Sequence, residues 1–266
     1  MRSTSRELKL RAKATLKRRL FNLIMIAAVF IVADYMLSYL AGELNGVNAW
    51  NRELTRRLNT VTETIAGMTD LAAMEEAVYR VIDSMPAPDF FVKSPFGSVL
   101  SVLVSLMSIP LGAGYMSHIL QESRGVQTHV GSLISGFRVM GKALAVSLMT
   151  WLLVLLGCVF FIIPGIVLAL RYGLSILILV DDPSKGPIAC MKESGRLMRG
   201  NKWRYFKLEL SFFFWLLAAG LVSSLIGVPL LNIYLTPYMS LAQAEFYKEL
   251  AAGTRTSAPG WDPENL

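Results

Sequence analysis

The feature that most constrains this chain is a series of apolar runs, several of which reach the ~20 residues that a helix needs to cross a hydrocarbon core. Hydrophobic residues make up 54% of the 266 residues and charged residues only 17%. A soluble domain of this length would carry more charge and shorter apolar runs. The sequence therefore predicts an all-α polytopic membrane protein with one membrane domain over residues 1–250, a polar tail over residues 251–266, and six transmembrane helices at about residues 20–41, 96–119, 143–163, 166–180, 205–226 and 229–246.

The fourth apolar run is the shortest, because Ile166 to Val180 is only about 22 Å long as a helix. The preceding sequence, Ile162 to Ile166 (IIPGI), places Pro and Gly where the chain must reverse, which predicts a tight turn. Two alternatives remain open: the turn lies below the outer surface, or the helix continues past Val180. Pro187 then opens the next helix at a position that proline favours.

The basic residues predict how the chain is oriented. The net charge is +7, and most Lys and Arg fall in residues 1–19, 120–142 and 181–207, beside apolar runs. Six spans place all three segments, and both termini, on one side, which the positive-inside tendency makes cytoplasmic. We expect no nucleic-acid partner, because no base-reading motif accompanies the charge.

Two of the basic segments have the periodicity of amphipathic helices. Thr4 and Glu7 stand three apart, as in a capping box, and Leu8, Ala12 and Leu16 follow at intervals of four. Such helices lie on lipid surfaces, so we expect anionic lipid of the inner leaflet to contact Lys9, Lys13, Lys17, Lys192, Arg196, Arg199 and Lys202. The alternative is that these helices are merely exposed and that their charges only set the topology.

Residues 43–93 form a different kind of segment. Leu54, Leu58, Val61 and Ile65 keep helical spacing among polar residues, and acidic residues outnumber basic ones. We expect an outer loop that is either a helical hairpin or a single bent helix, ended by Pro86, Pro88 and Pro95. This loop is a candidate docking surface for a protein partner.

An internal repeat appears when the chain is shifted by 64 residues. SLISGFRVMGKALAVSLMTWLL (132–153) then falls on RLMRGNKWRYFKLELSFFFWLL (196–217), so that Gly136 meets Gly200 and Trp151 meets Trp215. The second helix of each predicted hairpin, which we call the return helix, carries a related motif. These motifs are GYMS, RYGLS and PYMS, and they contain Tyr115, Tyr172 and Tyr238. We predict three helical hairpins, each preceded by a basic amphipathic cytoplasmic helix.

Two ionisable residues fall inside predicted spans, where charge is costly and usually functional. Asp34 and Arg171 lie at similar depths below the outer surface, so we predict an intramembrane charge pair. The alternative is that each side chain reaches the outer headgroups separately. Glu209 and Glu245 lie near the inner ends of their spans, and we expect each to face Lys or Arg.

The sequence contains no pattern typical of an enzyme. His118 and His129 are predicted to be surface residues rather than metal ligands, and we expect no metal, no cofactor and no disulfide between Cys158 and Cys190. A membrane enzyme needs several polar groups that converge at one depth. No nucleophile elbow, Gly-rich phosphate loop or carboxylate pair on one helix is visible, so we expect no catalytic activity.

Several motifs together resemble a known family. They are W-x(12)-P-G-I (151–166), E-S-x-x-L-M-R-G-N-K (193–202), F-x-L-x-L-S-F-x-x-W (206–215) and A-E-F-Y (244–247). They are similar to a bacterial integral-membrane family, found mostly in Firmicutes, that is catalogued as domain of unknown function nine-seven-five. The resemblance covers the chain except the outer loop and the tail. It implies a multi-pass protein of the plasma membrane, and it supplies no activity and no functional residues.

Two functional hypotheses follow from these features. The first is a non-enzymatic membrane scaffold or regulatory partner subunit that contacts anionic lipid. The second is a permease-like protein that handles a small solute or a lipid, with a polar path near Asp34 and Arg171. We favour the scaffold, because the spans hold few polar residues and the charge is concentrated at the inner surface.

Overall fold

The structure is a computed structural model that describes residues 3–66, 68–83, 95–226 and 230–256. Every regular element within these ranges is helical, which confirms the predicted all-α class. The α-helices are α1 (Ser5–Arg18), α2 (Leu20–Leu44), α3 (Val47–Ala66), α4 (Leu71–Asp83), α5 (Pro95–Leu106), α6 (Ser108–Ser123), α7 (Ser132–Ser135), α8 (Met140–Phe160), α9 (Ile162–Tyr172), α10 (Ser175–Asp181), α11 (Pro187–Leu197), α12 (Lys202–Ile226) and α13 (Leu230–Thr256). A 3-10 turn, Gly136–Val139, joins α7 to α8.

Five helical stretches are long and apolar enough to cross a membrane: Leu20–Leu44, Pro95–Ser123, Ser132–Phe160, Ile162–Asp181 and Lys202–Ser223. They correspond to the first five predicted spans. The predicted sixth span lies on α13, which is not among the five and has Pro237 in its interior. Helix α13 runs on to Thr256, so part of the predicted tail is helical, and residues 257–266 lie outside the described residues.

The reversal before the fourth span differs from the prediction. The chain breaks at Phe161 alone, which is extended, and α9 already begins at Ile162. The Pro and Gly of the IIPGI sequence therefore lie in the first turn of α9, where a missing backbone N–H costs no intrahelical hydrogen bond. A Cβ built on Gly157 would lie 3.0 Å from the Cα of Gly165, so small residues let α8 and α9 approach closely.

The chain divides into two compact units. One comprises residues 34–108 and contains α3 and α4, which contact each other as two separate helices rather than one bent helix. Gly46, at φ 84°, turns the chain between α2 and α3, and Arg52 pairs with Glu43. Pro95 is the first residue of α5, whereas Pro86 and Pro88 lie outside the described residues.

The other unit comprises residues 1–33 and 109–266. In it the short helices α1, α7 and α11 each pack against another helix. A Cβ on Gly114 of α6 would meet the backbone of Leu133 in α7, and one on Gly136 would meet the carbonyl of Pro110. The side chain of Ser194 in α11 donates a hydrogen bond of 2.8 Å to the carbonyl of Arg171 in α9. Close backbone approach therefore fixes both crossings.

Helix α1 makes the third such contact, against α13. Its predicted capping box is confirmed, since Thr4 and Glu7 exchange hydrogen bonds at the first turn. Leu8, Ala12 and Leu16 are all buried. The apolar stripe of α1 therefore packs within the protein, and contact of the cations of α1 with lipid stays a prediction.

Candidate functional site

Three buried acidic residues form the candidate site, two of them at helix ends and the third inside α13. Glu122 of α6, Asp181 of α10 and Glu245 of α13 have side chains that are only 0%, 11% and 10% exposed. Each forms an ion pair, with Arg19, Arg124 and Lys248 respectively. Buried carboxylates need such partners, because removal from water otherwise costs several kcal/mol (about 3–5 when one partner is lost). We call these three pairs together with Tyr247 the polar junction.

Glu122 is the most buried member of the polar junction. Its Oε1 accepts hydrogen bonds from Asn22 Nδ2 at 2.8 Å and from the backbone N–H of Thr128 at 3.1 Å. Its Oε2 lies 3.4 Å from Arg19 Nε. Glu122 thus ties the start of α2 and the loop after α6 to the end of α6.

His118 belongs to the same cluster, so the prediction that it lies on the surface is wrong. It is 0% exposed, and its Nδ1 bonds the hydroxyl of Thr128. That hydroxyl also reaches Glu122 Oε1 at 3.2 Å. If the hydroxyl donates to the carboxylate, it accepts from His118 Nδ1–H, and His118 Nε2 keeps a free lone pair with no hydrogen-bond partner among the described residues.

The other half of the polar junction links three return helices. Arg124, just after α6, pairs with Asp181 at the end of α10, and Asp181 raises the pKa of Arg124. Tyr247 of α13 donates to the same carboxylate at 2.8 Å, and Lys248 donates to the carbonyl of Ser123 at 2.6 Å. The ends of α6 and α10 are therefore held to the interior of α13, around residues 247–248, by charge-assisted hydrogen bonds.

The two predicted inner glutamates behave differently. Glu245 pairs with Lys248 at 2.8 Å, as predicted. Glu209 instead accepts a hydrogen bond of 3.0 Å from Gln243, so the expectation of a basic partner is wrong for this residue. This hydrogen bond links α12 to α13, which pack against each other.

A separate polar cluster fixes the beginning of α1. Arg204 of α12 donates to the Ser3 carbonyl at 2.6 Å and pairs with Glu249 of α13 at 2.8 Å. Ser3 N–H donates to the same carboxylate at 3.1 Å. Burial raises the pKa of Glu249, but the hydrogen bonds from Arg204 and Ser3 outweigh burial and leave the pKa below its usual value.

The predicted lipid-contacting cations lie in different surroundings. Lys13 and Lys17 of α1, Lys192 and Arg196 of α11, and Arg199 just after α11 are exposed. Lys9 and Lys202 are half-buried. Lys9 Nζ lies 4.3 Å from the centre of the Phe212 ring, in a groove between helices. None of these seven forms an ion pair with another described residue, and contact with lipid stays a prediction.

Asp34 and Arg171 belong to different units, and their pairing stays a prediction. Asp34 is half-buried and lies ten residues before the end of α2 at Leu44. Arg171 is exposed, lies nine residues after the start of α9 at Ile162, and has its guanidinium carbon 5.4 Å from the centre of the Tyr172 ring.

The exposure of the aromatic residues of the predicted repeat agrees for the tryptophans and differs for the tyrosines. Trp151 and Trp215 are each 62% exposed. Tyr115 is buried and stacks on Phe30 at 4.4 Å between ring centres, whereas Tyr172 and Tyr238 are half-buried. The two tryptophans thus face outwards alike, while the three tyrosines differ in burial.

The polar junction could have been found from the tyrosine motifs. The sequences YMSHILQE (115–122) and YMSLAQAE (238–245) each place a glutamate seven residues after the tyrosine. Seven residues are about two helical turns, so tyrosine and glutamate share one face. That face is the buried one, because Tyr115, Glu122 and Glu245 are all buried.

The arrangement links helices through paired charges. No group of three or more His, Cys, Asp or Glu that could hold a metal occurs in the part of the chain that the structure describes. The carboxylates of the polar junction are paired with cations, which removes them as free bases. The buried Ser175 hydroxyl has no hydrogen-bond partner within the described ranges, whereas the buried Tyr115 hydroxyl lies within interaction range of Ser240.

The fold defines an all-α protein with several helices of membrane-spanning length and character. Residues 1–254 match a family described as protein of unknown function, DUF975, and the chain belongs to this family. The match includes the outer segment 43–93, which the sequence motifs do not cover. No curated protein and no solved structure matches the chain.

Proposed function

We propose that this protein is a non-enzymatic membrane scaffold or regulatory partner subunit that binds the anionic inner leaflet of the plasma membrane. It spans the membrane six times, with both termini in the cytoplasm, and its three helical hairpins form a repeat in which each short helix packs on a return helix. The crossings of α7 on α6, α11 on α9 and α1 on α13 support this arrangement.

The observation that carries the proposal is the cationic surface formed by α11 and by Arg199 just after it. Lys192, Arg196 and Arg199 are exposed and form no ion pair with a described residue. Met191 and Gly195, on the adjacent face of α11, are buried. Cations that the fold does not use remain available to anionic headgroups, each contributing about 1 kcal/mol near the surface.

The lipid proposal is tested by reconstituting the full chain into nanodiscs and measuring which lipids it enriches from an equal mixture of phosphatidylglycerol and phosphatidylcholine. We expect enrichment of phosphatidylglycerol, reduced several-fold in the triple variant K192Q/R196Q/R199Q and retained in the charge-conserving control K192R/R196K/R199K. Equal lipid composition around the native chain and the glutamine variant would refute the proposal.

The topology is tested with a reporter that is active only in the cytoplasm. It should be active when fused after Leu20, Gly125, Lys185 or Gly253 and inactive within residues 51–83. Activity at Glu63 would contradict six spans. Activity after Lys185 together with inactivity after Gly253 would show that α13 does not cross the membrane. This result is the critical one, because α13 is not among the five helical stretches that are long and apolar enough to cross.

The partner role is tested on the outer segment. Its helices α3 and α4 carry apolar residues at helical spacing, and Leu58 and Tyr79 are 49% and 64% exposed. A protein that co-purifies with the full chain in mild detergent should be lost from L58D/Y79D and retained by the control R56Q/R80Q, which only removes exposed ion pairs. Retention by both variants would exclude this surface.

A permease-like function is the second candidate, and buried hydroxyl groups inside the helices favour it. Tyr115 and Ser240 lie in interaction range, and the hydroxyl of Ser175 is buried without a partner among the described residues. A water-filled path should expose single cysteines at positions 117, 175 and 240 to a membrane-impermeant thiol reagent in a background of C158A/C190A. Protection of all three positions would leave the scaffold as the better function.

A further inference from the structure

A groove of about 340 Å³ lies where α1 meets α12 and α13. Two cations, Lys9 and Lys13, lie on its α1 side. Aromatic and aliphatic side chains line the other side, among them Phe212, Trp215, Leu235 and Tyr238. Its volume lies within the range of small-molecule sites, about 300–1,000 Å³. All six residues belong to the same compact unit.

The cationic end of the groove is built into the fold rather than left on a flexible surface. Lys9 Nζ lies 3.4 Å from the carbonyl oxygen of Ser211 and 4.3 Å from the centre of the Phe212 ring. Neither Lys9 nor Lys13 pairs with a carboxylate among the described residues. Burial lowers the pKa of Lys9, which means that its charge has lost hydration and would gain from an anionic partner.

The apolar end opens towards the outside of the bundle. Phe212 and Leu235 are 2% and 9% exposed and form the floor, whereas Trp215 is 62% exposed and stands at the mouth. The ring of Tyr238 meets that of Phe212 edge-on at 5.2 Å. A bound molecule can therefore place an apolar chain on the floor and continue past Trp215 into the surroundings of the exposed apolar helices.

We propose that this groove binds one anionic phospholipid, with its phosphate against Lys9 and Lys13 and an acyl chain along Phe212, Leu235 and Trp215. A free anion would satisfy the lysines and leave the apolar floor uncovered, and a neutral lipid would do the reverse. Only an amphiphile with an anionic head satisfies both ends. The inference rests on the proposed function in one respect, namely that the chain lies in a membrane containing anionic lipid.

The groove differs from the general cationic surface that the proposed function uses. Lys9 and Lys13 stand four apart on α1, as Lys192 and Arg196 do on α11. The pair on α11 is exposed and lines neither this groove nor the larger cavity of about 560 Å³ beside Arg18 and Arg19. We therefore expect saturable binding of one lipid at Lys9 and Lys13, and unsaturable attraction of many lipids at Lys192 and Arg196.

The first test titrates the purified full chain in detergent with phosphatidylglycerol or chain-matched phosphatidylcholine and counts bound lipids by native mass spectrometry. We expect one phosphatidylglycerol to bind at least tenfold more tightly than phosphatidylcholine. K9Q/K13Q should remove this preference, since about 1 kcal/mol per cation corresponds to about fivefold each and about 25-fold for the two together. K9R/K13R should retain it, and so should K192Q/R196Q.

Three outcomes would overturn the site. These are equal binding of the two lipids, unchanged phosphatidylglycerol binding in K9Q/K13Q, or glycerol phosphate binding as tightly as the whole lipid, which would mean an anion site without an acyl-chain site. The last result would leave the wider scaffold proposal standing. Conversely, the native chain could show no enrichment of phosphatidylglycerol in nanodiscs but still bind one lipid in the titration. That result would refute the scaffold proposal and leave the lipid site in the groove standing.

A second test leaves the lysines unaltered, so it remains decisive if K9Q/K13Q fails to fold. Phosphatidylglycerol with brominated acyl chains, added at one equivalent, should quench tryptophan fluorescence by contact with Trp215. W215F should abolish most of that quenching, whereas W151F should not, although Trp151 is equally exposed at 62%. Equal loss in the two variants would place the lipid outside the groove.

Discussion

Helices α1 and α11 have the same kind of sequence but different surroundings. Both are short and basic, and both bury small or apolar residues four apart: Leu8, Ala12 and Leu16 in α1, and Met191 and Gly195 in α11. The cations of α11 are exposed, but Lys9 of α1 is held over an aromatic ring. A basic amphipathic pattern therefore does not determine whether its cations contact solvent, lipid or protein.

The neighbours of each helix explain the difference. Helix α11 lies against backbone groups of α9, where Ser194 bonds the Arg171 carbonyl. Helix α1 lies against α13, and its beginning is fixed by Arg204 and Glu249. Those anchors bring Lys9 beside Phe212, which the α1 sequence cannot reveal.

The largest expected effect comes from truncating the buried apolar stripe of α1, and it tests whether α1 is packed in the protein. L8A/L16A should destabilise the protein by several kcal/mol in detergent, since each buried Leu→Ala change costs about 2–5 kcal/mol. Thermal unfolding followed by circular dichroism measures the change. L10A, at a position that is 58% exposed, should shift the midpoint hardly at all; equal shifts would mean that α1 is not packed in the protein.

The anchor of α1 is expected to depend on pH. The pKa of Glu249 is lowered in the folded protein, so its contribution is present at pH values above its unfolded pKa and is lost as the pH falls through the folded value. Protease cleavage within α1 should accelerate below about pH 4.5. R204Q should accelerate it already at pH 7, by about tenfold for a loss of 1–2 kcal/mol, whereas R199Q should cleave like the native chain.

The anchor of α11 can be weakened separately. S194A removes the hydrogen bond to the Arg171 carbonyl and should cost about 1 kcal/mol. Cys190 reports the change, because it is 0% exposed and burial raises the pKa of its thiol, both of which slow alkylation. In a C158A background, S194A should accelerate maleimide labelling several-fold, and R196Q should not. Acceleration by both would mean that the cations also hold α11 in place.

The smallest expected changes in the free energy of unfolding come from Ala12 of α1 and Gly195 of α11, the small buried residues of these two helices. A Cβ on Gly195 would lie 3.0 Å from Arg171 Nε, the nearest atom of a flexible side chain, so G195A should be neutral or stabilising by up to about 0.5–1 kcal/mol. A12G should cost about the same amount. Calorimetric unfolding of both variants checks the signs, and marked destabilisation by G195A would show that the crossing of α11 is as tight as the backbone contact at Gly114.

Local patterns predicted some of the site correctly. The pair of Glu245 and Lys248 stands three residues apart on one helix, so its ion pair could be predicted from spacing. The capping box of Thr4 and Glu7 is equally local. His118 was predicted to be exposed because it stands near a helix end, and its burial depends on Thr128, which lies on the following loop.

The sequence by itself determined the helices and their apolar character. Backbone hydrogen bonds within a helix are local, and the length of an apolar run is visible in the chain. The all-α class and the five helical stretches long and apolar enough to cross a membrane therefore followed from the sequence. The tertiary structure decided which surfaces meet: the stripe of α1 packs on α13, Glu122 finds Arg19 and Asn22, and Phe161 alone reverses the chain. These contacts join residues that lie far apart in sequence. They depend on the shapes of two helix surfaces and on which charges become buried together, and neither is visible in the sequence of one helix alone.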